Sequence, residues 1–280
     1  MTRLKALSKK LNDVLDAEGR EWLYLERSQL TQLNGDLECV ANKLVFLTTT
    51  VKRKLGIALL GGEINSGFNP DTYGQCSKIY LNYWSVTDAS RILFLADILS
   101  SRSLYADELF QLCYRYFDDG ERASILKGLS LLKLNDQSIN FIIDVARTNS
   151  LDIFSALAFK NPWPVVKFPV PSFNQMVLKS LFLGINIIHL EGLRAAQNTE
   201  LGRMAADYVQ ERLDAGREVP ESIWLAVDVS LLADQGLSAL ELALQADPSK
   251  SKNQLALVGC QWQSDLPARL YEIVQSLNNL

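Results

Sequence analysis

Apolar residues recur at three- and four-residue steps from the first turn of the chain, where Leu4, Leu7, Leu11 and Leu15 share one face and Lys5, Lys9 and Lys10 another. That spacing predicts an amphipathic helix over 3–17. A second helix is expected over 20–33. A third starts at Asp36 as N-cap, carries Leu37, Val40, Ala41, Leu44 and Val51 on one face, and ends between Leu55 and Leu60. From Trp84 the pattern becomes regular. Ser85 with Asp88, and Asp118 with Glu121, have the offset of reciprocal capping pairs, and Asp136 stands where a further cap is expected. Behind them come the apolar stripes Ala89, Ile92, Leu93, Ala96, Leu99, then Ile125, Leu126, Leu129, Leu132, then Ile139, Ile142, Ile143, Ala146. Helix starts near residues 86, 104, 119, 136 and 150 lie about 15–17 residues apart, so a helix pair returns every ~32. The expected fold is all-α, built of stacked antiparallel helix pairs resembling an α-solenoid.

Two stretches break this rhythm. Residues 61–75 collect Gly61, Gly62, Gly67, Gly74 and Pro70 and are expected to form the longest loop, a plain surface loop or a lid over a site. Gly62 and Gly67 have phosphate-loop spacing, but Phe68 and Asn69 stand where Lys and Ser or Thr are required. In the second stretch Pro162, Pro164, Pro169 and Pro171 predict one stiff, proline-rich extended linker, with the strand-like run Val165 to Phe168 covered inside it. Trp163, held between two prolines, is either core packing or one wall of a pocket.

Ser172 and Gln175 have capping-box spacing at the start of the next helix. On that nearly all-apolar helix Asn174 and Lys179 are polar, and such groups need partners in the linker, a neighbouring helix or a ligand. The helix over 198–215 starts at Asn198 and ends at Gly216. Its Arg203, Asp207 and Glu211 lie four apart with Arg212 and Arg217 nearby. They form a solvated salt-bridge ladder or, if partly buried, a cluster able to hold a carboxylate, a phosphate or a partner helix. Shorter helices are expected at 252–260 and 266–278.

Composition narrows the function classes. With 48% hydrophobic and 21% charged residues the 280-residue chain is of ordinary globular type, and its net charge of −4 argues against a nucleic-acid binder with a broad basic surface. Cys39, Cys76, Cys113 and Cys260 form no metal-ligand spacing and are expected to be reduced and mostly buried. The one histidine, His189, sits in an apolar turn, which disfavours a Ser-His-Asp triad or multi-histidine metal ligation; no cofactor or metal is expected. No window has the ~18 apolar residues of a membrane span. No secretory h-region follows the basic N-terminus, so a cytoplasmic location is expected. The basic helix over 3–17 allows at most a peripheral membrane contact.

The residues Asn161-Pro162-Trp163-Pro164, Phe173-Asn174-Gln175-Met176-Val177-Leu178-Lys179, Arg203-Met204, Asp207-Tyr208, Glu211-Arg212, Ala215-Gly216-Arg217 and Pro220, Ser222, Trp224 together resemble the EboA family. The likeness is strongest over 84–224 and looser before it. Trp163 stands where the family usually has Tyr, and Leu225 follows Trp224 where an Arg is usual. Residues 1–224 are therefore expected to form the EboA-like domain, and 225–280 a helical extension packed on it. The resemblance implies a bacterial accessory protein encoded beside a prenyltransferase-like membrane protein, a TatD-like hydrolase and sugar-phosphate-type enzymes. Such clusters are linked to assembling or exporting secondary-metabolite precursors. It carries no reaction. The first expectation is a non-catalytic scaffold for other proteins of the same gene cluster, the membrane prenyltransferase-like protein among them. The alternative is a small-molecule carrier or enzyme using a pocket around Asn174, Lys179, Arg203 and Asp207. Candidate ligand- or partner-binding residues are Asn161, Trp163, Asn174, Gln175, Lys179, Arg203, Asp207, Glu211, Arg212 and Arg217.

Overall fold

In the computed structural model, residues 3–69 and 77–246 are described. The helices expected at 252–260 and 266–278, and Pro70, Gly74, Cys76 and Cys260, lie outside them. Thirteen α-helices and one two-stranded sheet make up the described residues, so the chain is all-α. It divides into two units, the first ending at Phe168 and the second beginning at Pro169.

The first unit opens with α1 (Arg3–Val14), α2 (Ala17–Gln32) and α3 (Leu37–Leu55). Asp16 caps α2 by accepting from the Gly19 amide, and Asp36 caps α3 by accepting from the Cys39 amide. Each cap of this kind contributes about 1 kcal/mol. Gly56, at φ +75°, ends α3 in a conformation few side chains tolerate. Strands β1 (Glu63–Asn65) and β2 (Lys78–Tyr80) pair antiparallel with Ile64 opposite Ile79, so part of the expected loop over 61–75 is strand.

Helix α4 (Val86–Ser101) follows, and thirteen of its sixteen residues are buried, which leaves it no solvent face. A helix apolar on all sides must be enclosed. Packing accordingly converges on it: α1, α2 and α3 lie against α4, as do α5 (Ala106–Tyr116) and α6 (Asp119–Lys127). The capping boxes read from Ser85/Asp88 and Asp118/Glu121 are both formed. The unit ends with α7 (Asp136–Val145), α8 (Leu151–Ala158), which packs on α6, and the short α9 (Trp163–Lys167).

Asp136 does not cap α7. Asn135 holds that position, because the buried Asp107 accepts from both its backbone N–H (3.0 Å) and its Nδ2 (2.6 Å). The proline-rich linker is also not extended as expected. Pro162 is helical and leads into α9, whose N-terminal turn contains Pro164. Pro169 and Pro171 open α10 (Val170–Phe182) in the same way. First-turn residues have no intrahelical acceptor for their N–H, so proline loses nothing there and its fixed φ suits the helix. Phe168 and Pro169, between the two helices, have extended backbone.

The second unit continues from α10 through a 3₁₀ turn (Ile187–His189), α11 (Leu193–Ala196), α12 (Thr199–Asp214), 3₁₀ turns at Glu221–Leu225 and Val229–Leu231, and α13 (Asp234–Ala246). Asn198 caps α12 through the Leu201 amide, and Gly216 (φ +63°) turns the chain after it. The close approach in this unit is between Gly202 on α12 and Asp228. The Asp228 amide donates to the Gly202 carbonyl at 3.3 Å, and a Cβ on Gly202 would lie 2.7 Å from the Asp228 Cβ and 3.2 Å from its nitrogen. The contact is with backbone, which cannot swing aside. Gly202→Ala is expected to cost about 2 kcal/mol by overpacking, read as a lower denaturant midpoint at unchanged m-value. No described helix is long and apolar enough to cross a membrane.

Candidate functional site

The first unit carries an open cleft of about 480 Å³, within the size range of sites for small organic ligands. Its floor is made by the N-terminal turns of α4 and by α6. Its rim comes from the end of α3 (Lys52, Ile57), the segment entering α4 (Tyr80, Tyr83, Trp84) and the end of α8 (Phe159, Lys160, Asn161).

Asp88 organises the floor. Its Oδ2 accepts from the Ser85 backbone N–H (2.8 Å), the Ser85 hydroxyl (2.9 Å) and Lys127 Nζ (2.9 Å), and its Oδ1 from the Ser124 hydroxyl (2.8 Å). Burial alone would push this carboxyl up. The Lys127 charge, the Ser85 amide and the bonds from Lys127 and Ser124 outweigh burial and hold it below its ordinary value. Arg91, one turn further along α4, donates Nε to the Thr48 carbonyl (3.1 Å) and Nη1 to the Gly120 carbonyl (3.2 Å) and Ser124 Oγ (3.0 Å). Its Nη2 stands 4.0 Å from Oε1 of the buried Glu121. The carboxylate of Glu121 is fixed in turn by the Asp118 amide (3.0 Å) and Thr49 hydroxyl (3.1 Å). Each charge in the floor is thus compensated inside the protein. Such a network is costly to break at one member and stiff while intact.

The rim differs. Phe159 meets Tyr83 edge-on at 5.0 Å, and Lys160 Nζ lies 5.6 Å from the centre of the Tyr80 ring. Lys160 has φ +51°, the one non-glycine with positive φ among the described residues. For an L side chain this left-handed conformation costs roughly 1–2 kcal/mol. Asn161 holds the turn: its Nδ2 donates to the Leu126 (2.9 Å) and Ala156 (3.1 Å) carbonyls, and its Oδ1 accepts from the Trp163 amide (3.1 Å).

Of the ten residues proposed from sequence, Asn161 lines this cleft. Trp163 is buried behind it, edge-on to Phe168 at 5.8 Å. The other eight belong to the second unit. Asn174 is buried in a reciprocal amide pair with Asn198 (3.1 and 3.0 Å), the neighbouring-helix partner it was expected to need. Gln175 is exposed, and the Ser172/Gln175 capping box is not formed, because the prolines start α10 at Val170 and carry Ser172 inside its first turn. Burial lowers the Lys179 ammonium from its ordinary value. Arg203 bridges Glu200 and Asp207, each at 2.7 Å, on an exposed face; Glu211 and Arg217 are exposed as well. Arg212 donates twice to the Glu218 carbonyl and lies 5.9 Å from the Tyr208 ring centre.

Asp88, Arg91, Lys127, Lys160, Tyr83 and Phe159 were not among those ten. The available signal is a pair of charged residues, Asp88 and Arg91, one turn apart on a helix that is buried almost throughout. The capping role of Asp88 accounts for it fully at sequence level and hides its second contact set. Of the two described cysteines, Cys113 is buried, with its thiol pushed up to about 12 by burial, whereas Cys39 is exposed, against the expected burial. His189 is half-buried in the turn after α10. No group of three His, Cys, Asp or Glu stands together as a metal site among the described residues.

A family model described as metabolite traffic protein EboA matches residues 4–228, which include the whole cleft. The chain belongs to the EboA family. Its role is therefore an accessory one connected with metabolites. No curated protein and no solved structure gives a match. The family match runs through both units to Asp228, the residue against which Gly202 packs.

Proposed function

We propose that this EboA-family chain is a non-catalytic accessory protein of a secondary-metabolite assembly or export system, and that it serves by holding a metabolite in the cleft of its first unit. The observation that carries this reading is the contrast within the cleft. A floor of mutually compensated charges, Asp88 with Lys127 and Arg91 with Glu121, underlies a rim of aromatic and cationic side chains. The floor supports binding rather than chemistry: Ser124 Oγ lies 2.8 Å from both Asp88 Oδ1 and the Gly120 carbonyl and accepts from Arg91, so its proton and lone pairs are engaged. A nucleophile needs a base free to take its proton, and the carboxylate here is held by Lys127.

The test is the native mass of freshly purified protein beside its denatured mass. A discrete excess lost on denaturation is the expected result, and Tyr83→Ala with Phe159→Ala should abolish it. Identical masses, repeated on protein from the producing strain, would overturn the reading.

A scaffold toward other products of the same gene cluster, such as a membrane prenyltransferase-like protein, is the second reading. Apolar side chains left in solvent on the second unit favour it: Phe182 is 74% and Val170 58% exposed. Native co-purification with those products, lost on Phe182→Asp, tests it. Absence of any such partner would count against it.

A further inference from the structure

Resting on the metabolite-binding reading, we infer that the cleft selects an uncharged, planar molecule, with its ring system set against Tyr83 and Phe159 and its neutral polar groups met by the hydroxyls of Tyr80, Tyr83 and Ser155. The way charged and neutral groups are used along the cleft carries this. Its charges are engaged inside the protein. Lys127 holds Asp88 at 2.9 Å, Arg91 stands 4.0 Å from Glu121 while donating to two carbonyls and Ser124, and Lys160 keeps its ammonium 5.6 Å from the centre of the Tyr80 ring. Lys52 and Asp152 remain, one charge of each sign, and both are exposed, where water and salt screen them. An ionic head entering this cleft would either break a bond of the network or lie partly desolvated without a counter-charge. Both lower affinity.

The polar groups still open to a ligand are neutral. Tyr80, Tyr83 and Ser155 line the cleft, and the hydroxyl of none of them makes a hydrogen bond among the described residues. Each can donate to a ligand carbonyl or accept from a ligand O–H or N–H. The hydroxyls deeper in the floor differ: Thr87 Oγ1 donates to the Gly56 carbonyl at 2.6 Å, and Ser124 is held between Asp88, Gly120 and Arg91. Beside the open hydroxyls lies apolar surface. Tyr83 is 51% exposed although it packs edge-on against Phe159, and Ile57 on the same rim is 64% exposed. A flat ring laid here covers that surface, a gain that needs no charge on the ligand.

Three naphthalenes with one ring system and different heads test the inference on the intact chain by isothermal titration calorimetry at pH 7: neutral 1-naphthol, anionic 1-naphthoate and cationic 1-naphthylmethylammonium. Expected is that 1-naphthol binds at least about tenfold more tightly than either ion, with an affinity that does not change between about 50 and 500 mM salt. Tyr83→Phe keeps the ring and removes one hydroxyl, so it should weaken 1-naphthol by roughly threefold and leave the two ions unaffected at unchanged melting temperature. Phe159→Ala should weaken all three. Binding of either ion as tight as that of 1-naphthol, or a co-purifying compound that proves charged at pH 7, overturns the assignment and leaves metabolite binding standing. If none of the three binds, the assignment falls; if the purified protein also carries no co-purifying mass, the metabolite-binding reading falls with it.

Discussion

Asp88→Ala is expected to lower the melting temperature of the first unit by roughly 10 °C, a loss of about 3–5 kcal/mol. The substitution removes half of the capping box at the head of α4 and strands the Lys127 ammonium and the Ser124 hydroxyl, which both lean on this carboxylate. Because α4 is the helix on which α1, α2, α3, α5 and α6 converge, the damage is not confined to one end of it. Asp88→Asn separates charge from shape. It keeps the size of the side chain and one acceptor oxygen, enough for either the Ser85 amide or the Ser124 hydroxyl but not both, and loses the attraction to Lys127, so a loss smaller than that of Asp88→Ala is expected.

The pH dependence has a definite sign. The Asp88 carboxyl lies below its ordinary value in the folded protein, so its contribution is complete above the unfolded pKa of about 3.9 and is lost as pH falls through the lower folded value. Calorimetry of the intact chain should show a constant gap between wild type and Asp88→Asn from about pH 5 to 8, closing below about pH 4. A gap that widens on acidification would mean that the buried carboxyl is protonated and that the floor is not an ion pair.

Legibility in the sequence follows the range of the interaction. Caps act within four residues, so Ser85/Asp88, Asp118/Glu121 and Asn198 can be read directly and they place α4, α6 and α12. The ladder Arg203–Asp207 is equally local, and it stands on a solvent face as i,i+4 pairs commonly do. The prolines mislead because their effect depends on position. Pro162, Pro164, Pro169 and Pro171 all fall at helix starts, where a missing N–H costs nothing, yet the same residues a turn later would break the helix. The cleft lies beyond local reading. Lys127 finds Asp88 across 39 positions and Arg91 finds Ser124 across 33, so the site exists only once α4, α6 and α8 have packed. The one trace it leaves is charge on a helix that has no solvent side.

Asn161→Ala is expected to cost about 3–5 kcal/mol, because one side chain that is only 4% exposed serves three backbone groups. Its removal leaves the Leu126 and Ala156 carbonyls and the Trp163 amide buried without partners, at about 1–3 kcal/mol for each group that water cannot reach. Asn161→Asp should be no better at neutral pH. It retains an acceptor for the Trp163 amide but turns a second carboxylate oxygen toward two carbonyl oxygens. Protonation gives that oxygen a hydrogen to donate, so this variant should gain stability as pH falls, opposite in slope to the contribution of Asp88.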